Sequence, residues 1–145
     1  MSYLSFERYM DIALYAPGLG YYEAGARTFR RDGDFVTAPE LSPLFGATLA
    51  RQCEEVLAQT GGAIVEFGGG SGRLAAALLA ELAARDALPD TYAIVELSPA
   101  LRARQRATIA DAAPAALSRV RWLTDAPGAP LRARAGRGLR TRRDA

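Results

Sequence analysis

The chain lacks several residue types on which enzyme sites often depend. Its 145 residues include no histidine and one cysteine. Without histidine, a Ser–His–Asp triad is excluded, and a zinc site is disfavoured because protein zinc is held mainly by cysteine and histidine. The lone Cys53 cannot form an intramolecular disulfide, and we expect it to be an inert thiol on the apolar face of a helix. We therefore predict no metal site.

Long apolar runs and targeting segments are also missing. No stretch approaches the roughly 18 uninterrupted apolar residues that a membrane span needs. The opening residues, MSYLSFERYMDIALY, have neither the basic start of a secretory signal nor the Arg-rich character of a transit peptide. We expect a soluble bacterial protein in the cytoplasm, with enough apolar residues (50%) for a real core.

Lysine and asparagine are absent, so all 18 basic residues are arginine. Residues 131–145 hold six Arg and one acid, a net charge of +5, whereas residues 1–130 hold twelve Arg and fifteen acids, a net charge of −3. The two values sum to the net charge of +2 for the whole chain. Because the body is mildly acidic, we expect no specific nucleic-acid partner there.

Apolar periodicity predicts an α/β fold that follows a helical N-terminal segment. The predicted elements are a helix from Ser5, a helix from Ser42 to Gly61, a strand at 63–67, a helix striped by Leu74 to Leu82, a strand at 91–97, a helix from Ser98 to about Ile109, and a strand at 119–124. Alternating strands and helices indicate a parallel, doubly wound sheet.

Individual faces of these elements can also be predicted. Trp122 is expected in the core, whereas the arginines at 102, 104 and 106 are expected on a solvated face. For the helix from Ser42 we expect an apolar face of Leu44, Phe45, Thr48, Leu49, Gln52 or Cys53, Val56 and Leu57.

The segment IVEFGGGSGRLAAALLAEL, residues 64–82, places four glycines within five positions between the first strand and its helix. Ligands of open parallel sheets bind beyond the carboxyl ends of the strands, and glycine lets the backbone approach a ligand closely. The loop therefore predicts a site for a nucleotide-like cofactor. The alternative is a tight turn with no ligand.

The register of the glycines separates two cofactor classes. The dinucleotide pattern Gly-x-Gly-x-x-Gly fails from Gly68, because Arg73 occupies its last position, and from Gly70 it fits only the weaker alanine form. What fits is Glu66-x-Gly68-x-Gly70-x-Gly72, which resembles motif I of class I S-adenosylmethionine methyltransferases. This resemblance implies a loop beneath the methionine portion of the cofactor and a carboxylate, Glu66, that helps to hold its ammonium group.

A second acid, Glu96, ends the second predicted strand, 24 residues after Gly72. A carboxylate at this place can accept hydrogen bonds from both ribose hydroxyls, and NAD-binding proteins use it in the same way. Glu96 therefore does not discriminate between the families, and its alternative is a solvated acid. An NAD-linked oxidoreductase is disfavoured by the glycine register and by Glu66.

Longer segments narrow the resemblance. LSFERYMDIALYAPGLGYY, RDGDFVTAPELSPLFGATLARQ and YAIVELSPALRARQR look like parts of the MidA-like methyltransferases, over roughly residues 4–124. That family includes the mitochondrial enzyme that methylates an arginine of a complex I subunit during assembly. The resemblance implies a Rossmann-like class I fold, S-adenosyl-L-methionine as methyl donor, and a protein arginine as acceptor in respiratory complex assembly.

The resemblance also assigns residues to roles, although it identifies no catalytic base. It implies that the cofactor is bound by Glu66, Gly68, Gly69, Gly70, Gly72 and Glu96. It further implies that the segment DFVTAPE lies against the cofactor as a lid or substrate wall, through Asp34, Thr37 and Glu40. The alternative for this segment is a simple approach to the helix at Ser42.

The family pattern stops after Asp125, where APGAPLRARAGRGLRTRRDA replaces the expected fourth strand and acidic segment. This tail can be a basic arm for nucleic acid or anionic lipid, a low-complexity end, or GC-rich DNA translated out of frame. We favour the frameshift, because the change in composition coincides with the loss of the pattern.

Three segments are therefore expected: a helical N-terminal segment with the lid (1–60), the first half of the cofactor domain (61–125) and a non-family tail (126–145). Only three strands of the class I sheet would be present, which leaves strand 63–67 as an exposed edge. We predict that this truncated chain alone transfers no methyl group. The alternative is a non-catalytic assembly or interaction factor with a degenerate cofactor fold.

Overall fold

The computed structural model of the protein describes residues 3–23 and 42–127. The predicted lid residues Asp34, Thr37 and Glu40 lie outside these ranges, as does the Arg-rich segment 131–145. Within the two ranges, no helix is long and apolar enough to cross a membrane.

The described elements follow the predicted order of helices and strands. They are α1 (Phe6–Tyr15), α2 (Pro43–Thr60), β1 (Ala63–Phe67), α3 (Arg73–Ala84), β2 (Thr91–Val95), α4 (Pro99–Ala112), a 3₁₀ helix (Pro114–Arg119) and β3 (Val120–Leu123). The fold class is confirmed as α/β with a partial Rossmann-like sheet after a helical N-terminal segment. The second and third strands are shorter than predicted, and Glu96 directly follows β2 instead of ending it.

Serine caps and prolines start α2 and α4 as the sequence predicts. The side chain of Ser42 accepts a hydrogen bond from the backbone N–H of Leu44 at 3.1 Å, and Ser98 accepts one from Leu101 at 3.1 Å. A proline stands in the first turn of both helices, where its missing N–H leaves no helical bond unmade. The Ser98 cap, two residues after Glu96, sets where α4 begins.

The three strands form one parallel sheet in the order β1-β2-β3. In this register Glu66, Ile94 and Trp122 lie side by side on one face of the sheet. Helices α3 and α4 pack together on the core, whose fully buried larger side chains are Leu78, Leu79, Leu82, Tyr92, Ile94 and Ile109. Among the described residues β1 pairs with β2 alone, and Phe67 at its end is 67% exposed.

The apolar face predicted for α2 is partly wrong. Leu44, Phe45 and Val56 are exposed, and the buried residues of the helix are Gly46 and Ala50. A Cβ atom added to Gly46 would lie 2.6 Å from the Cβ of Ala77 on α3, so the two helices approach closely through small residues. The apolar pattern of the sequence emphasises large residues, whereas close packing of two helices requires small ones. The face of α2 that carries Gly46 and Ala50 is therefore buried in place of the predicted face.

The surface predicted around α4 also needs a correction. Arg106 is exposed as predicted, but its guanidinium also lies 4.4 Å from the ring centre of Trp122, and Arg102 and Arg104 are half-buried. Trp122 itself is half-buried against the core and is not enclosed by it. The arginine therefore covers the outer face of the indole as a cation–π partner.

Candidate functional site

The two predicted acids lie on neighbouring strands near the carboxyl edge of the sheet. Glu66 lies near the end of β1, and Glu96 follows the neighbouring parallel strand β2. The two carboxylates are close enough that the negative charge of Glu96 contributes to a raised pKa of Glu66. The glycine loop starts at the same edge, where the N–H of Gly68 donates to the carbonyl of Val95 at 3.0 Å.

Glu66 is held by a buried tyrosine. The hydroxyl of Tyr92 donates to Oε2 of Glu66 at 2.8 Å, and Tyr92 is only 1% exposed. Burial raises the pKa of Glu66 above its ordinary value, although the hydrogen bond from Tyr92 offsets part of this rise. Burial also raises the pKa of Tyr92, with the charge of Glu66 adding to the effect. The tyrosine therefore acts as a donor that orients the Glu66 carboxylate.

Glu96 is almost entirely buried (6% exposed) and is fixed at both oxygens. Its Oε1 accepts from the backbone N–H of Ser98 at 3.0 Å, and its Oε2 accepts from Nε2 of Gln105 at 3.1 Å. Its own N–H donates to the carbonyl of Leu123 at 2.9 Å on β3. An ionised carboxylate can accept about four hydrogen bonds, so each oxygen retains capacity for one further donor.

The glycines of the loop divide into two groups by what surrounds them. Gly68 has φ +66°, and no atom lies within 4 Å of a Cβ added there. Gly69 and Gly72 instead face α4 and β2: an added Cβ would lie 2.9 Å from Cγ2 of Ile94 at Gly69, and 2.8 Å from Cα of Gln105 at Gly72. The loop thus presents Gly68 on its open side and packs Gly69 and Gly72 against the protein.

A cleft of about 110 Å³ opens between the loop, Glu96 and the N-terminal segment. It is lined by Tyr15, Tyr22, Gly68, Gly70, Glu96 and Leu101. The rings of Tyr15 and Tyr22 lie 5.6 Å apart, and burial raises the pKa of Tyr15, with the charge of Glu96 adding to it. Small-molecule sites usually enclose about 300–1,000 Å³, so the cleft formed by the described residues is smaller than a complete site of this kind.

Sequence reasoning missed four residues of this arrangement: Tyr15, Tyr22, Tyr92 and Gln105. For Gln105 a signal existed, because it interrupts the buried stripe of Leu101 and Ile109 on α4 with a polar side chain. No comparable signal marked the tyrosines, which reach the site from a turn, a helix end and a buried strand. Within the described ranges, no group of three or more His, Cys, Asp or Glu residues could hold a metal ion.

Comparisons with known proteins agree with this geometry. A family model described as "Putative S-adenosyl-L-methionine-dependent methyltransferase" matches residues 48–136, more than half of the chain. No curated protein matches.

Solved structures extend the comparison. The crystal structure of a "likely methyl transferase" from Burkholderia thailandensis, bound to S-adenosyl-homocysteine, is 53% identical with a TM-score of 0.73; the match covers 86% of this chain and 33% of that one. A second crystal structure, of an uncharacterized protein from the same organism, is 52% identical with a TM-score of 0.68. This match covers 86% of this chain and 31% of that one.

The chain thus spans about a third of the length of these solved relatives. The matched residues 48–136 include β1, the glycine loop, β2 and α4, which carry every described residue of the site except Tyr15 and Tyr22. On this match, the chain belongs to the S-adenosyl-L-methionine-dependent methyltransferase family that the model describes.

Proposed function

We propose that the chain binds S-adenosyl-L-methionine in the cleft beside the glycine loop. In this proposal Glu66 attracts the ammonium group of the methionine portion, the Gly68–Gly72 loop passes beneath it, and Glu96 accepts hydrogen bonds from the ribose hydroxyls. The observation that carries the proposal is a cleft that is lined by Gly68, Gly70 and the fixed carboxylate of Glu96 at the carboxyl edge of the sheet. Glu66, held by Tyr92, lies on the neighbouring strand and does not line this cleft. The relative that contains S-adenosyl-homocysteine supports it.

The chemistry of such a site is mainly a matter of positioning. S-adenosyl-L-methionine supplies a methyl group on a positively charged sulfur, and transfer requires that the acceptor atom, the methyl carbon and the sulfur be in line. The described residues bind and orient one partner in this reaction. Glu96 and Glu66 have fixed carboxylates, so they need little reorganisation when the cofactor enters.

Binding is tested by calorimetry with S-adenosyl-homocysteine. Glu96→Ala removes an acceptor for two hydroxyls, and hydrogen bonds to charged groups contribute about 1.5–3 kcal/mol each. We therefore expect affinity to fall more than about tenfold. The matched control is Asp111→Ala, which removes an exposed acid at the far end of α4 and should leave affinity unchanged.

Other outcomes have defined meanings. Binding of NADH in place of S-adenosyl-homocysteine would show that the NAD-linked class was rejected wrongly. Binding of neither ligand by a chain that is folded by circular dichroism would replace the cofactor proposal with the non-catalytic interaction factor. Equal affinity in wild type and Glu96→Ala would remove Glu96 from the site.

For the acceptor, we propose a protein arginine methylated in the bacterial cytoplasm, in a role linked to respiratory complex assembly. Its support is the MidA-like resemblance over roughly residues 4–124. Arginine as acceptor asks for carboxylates that pair with its planar guanidinium. The test incubates labelled S-adenosyl-L-methionine and bacterial proteins with this chain or with the longer Burkholderia protein. Methylarginine found by mass spectrometry only with the longer protein is expected; label on another residue type contradicts the proposed acceptor.

A further inference from the structure

The side chain of Gln105 is fully buried (0% exposed) beneath the glycine loop. Its Nε2 donates to the carbonyl of Gly70 at 3.1 Å and to Oε2 of Glu96 at 3.1 Å, and its Oε1 accepts from Nε1 of Trp122 at 2.9 Å. An indole N–H can only donate, and carbonyl and carboxylate oxygens accept, so the partners themselves determine which amide atom faces which way.

The position of this amide is unusual for a helix that packs on a core. Leu101 and Ile109, one turn before and after, are buried and apolar, so a leucine at 105 would complete the stripe. A buried amide is tolerated because all three of its contacts are made; without them burial would be unfavourable. Two of the three contacts lead to the candidate site, and the third leads to Trp122, which packs against the core.

We propose that Gln105 is a positioning residue for the cofactor site, one that fixes the Glu96 carboxylate relative to the Gly70 carbonyl and couples both to Trp122. The identity of the ligand rests on the proposed function, but the network itself does not. Glu96 is held at one oxygen by the backbone of its own turn and at the other by Gln105. Loss of the second contact leaves the carboxylate free to rotate away from the ribose position.

The same residue sets the position of the loop. Cβ atoms added at Gly69 and Gly72 would lie 3.2 Å from Nε2 and 2.8 Å from Cα of Gln105, so the loop rests directly on this residue. The loop and the acid therefore share one support on α4. The N–H of Ser98 also holds Glu96, and the side chain of Thr108 also holds the loop, whereas Gln105 contacts both the acid and the loop.

Trp122 provides a readout that needs neither ligand nor activity. It is the only tryptophan, so its indole N–H gives one resonance in a ¹H–¹⁵N spectrum. Among the described hydrogen bonds this N–H donates to Gln105, and none joins it to Glu96. If Gln105 links the two, Glu96→Ala will shift the indole resonance of the ligand-free chain. An unchanged resonance would overturn the proposed coupling.

The affinity arm compares Gln105→Met with Thr108→Val. Methionine keeps the length of the side chain but donates no hydrogen bond; we expect affinity for S-adenosyl-homocysteine to fall about tenfold, because the hydrogen bond from the Gln105 amide to the Glu96 carboxylate is lost. Thr108→Val removes a different contact between α4 and the loop, the bond to the carbonyl of Ser71 at 2.9 Å, and leaves Glu96 untouched. It should change affinity less than threefold, on the order expected for a neutral bond.

Combining the substitutions separates positioning from general stabilisation. In the chain with both Gln105→Met and Glu96→Ala, affinity should equal that of Glu96→Ala alone within about twofold, since residues that act as a unit are not additive. Fully additive losses, or wild-type affinity in Gln105→Met, would contradict the proposal. If the wild type binds no S-adenosyl-homocysteine, the proposed function fails. The Trp122 indole resonance in Glu96→Ala still tests the hydrogen-bond network. Because Glu96→Ala retains Gln105, its spectrum also tests the proposal if Gln105→Met does not fold.

Discussion

Gly72 and Gly68 offer a sharp test of what the glycine loop accommodates. Both have left-handed backbone angles, with φ +85° at Gly72 and φ +66° at Gly68. Their surroundings differ: a Cβ at Gly72 would lie 2.8 Å from Cα and 3.2 Å from the carbonyl oxygen of Gln105, whereas a Cβ at Gly68 would meet nothing within 4 Å. The crowding at Gly72 comes from backbone atoms, which cannot rotate away.

The difference can be converted to free energy. A left-handed alanine costs about 1–2 kcal/mol relative to its preferred conformation, and this applies to both positions. Overpacking against atoms that must shift adds about 1–3 kcal/mol at Gly72 alone. We therefore expect Gly72→Ala to lower the free energy of unfolding by about 2–5 kcal/mol, and Gly68→Ala by about 1–2 kcal/mol. A domain of this size has about 5–15 kcal/mol in total.

Urea unfolding followed by far-UV circular dichroism measures both values. Gly18→Ala is the baseline, because Gly18 has φ +72°, an open surrounding and a place in the turn after α1, away from the loop. If Gly72→Ala and Gly68→Ala destabilise equally, the packing argument is refuted. Affinity for S-adenosyl-homocysteine should show the reverse order when normalised to the folded fraction, because only Gly68→Ala places a methyl group on the open side of the loop.

Four further substitutions test the carboxylate, the core and the exposed face of α2. Burial raises the pKa of Glu66 above 4.5, so the folded protein loses stability when this carboxyl ionises as the pH rises through the raised pKa. Glu66→Gln should remove this loss, which urea unfolding measures between about pH 4 and 8. Tyr92→Phe leaves the buried carboxylate without its donor and should cost about 1–3 kcal/mol, measured in the same way. In thermal unfolding, Leu79→Ala at a fully buried core position should cost about 2–5 kcal/mol of stability. Leu44→Ala, at a position 74% exposed, should change the stability by no more than about 0.5 kcal/mol. Similar losses in the two variants would contradict the corrected face of α2.

Local chemistry explains why the elements could be predicted. Ser42 with Pro43 and Ser98 with Pro99 satisfy the first backbone groups of a helix by themselves, so both helix starts are visible in the sequence. Alternation of strands and helices predicts a parallel sheet, and the three described strands are parallel. The acid–glycine register was readable for the same reason, since it depends on neighbours along the chain.

The orientation of α2 depended on information that the sequence does not carry locally. Leu44, Phe45 and Val56 fit an apolar stripe as well as Leu49 does, but they are exposed. The orientation of α2 is set by Gly46, whose missing side chain lets Ala77 of α3 approach. The apolar pattern of one helix carries no information about its distance from the neighbouring helix.

The sequence by itself therefore determined the α/β class, the helix starts, the parallel sheet and the pattern of two acids and a glycine loop. Only the tertiary structure decided that Gly69 and Gly72 rest on α4, that Tyr92 orients Glu66, and that Gln105 joins Glu96 to Gly70. The physical reason is distance along the chain: caps and periodicity act within a few residues, whereas these contacts join residues from 9 to 36 positions apart. Such contacts exist only after the strands and helices have packed.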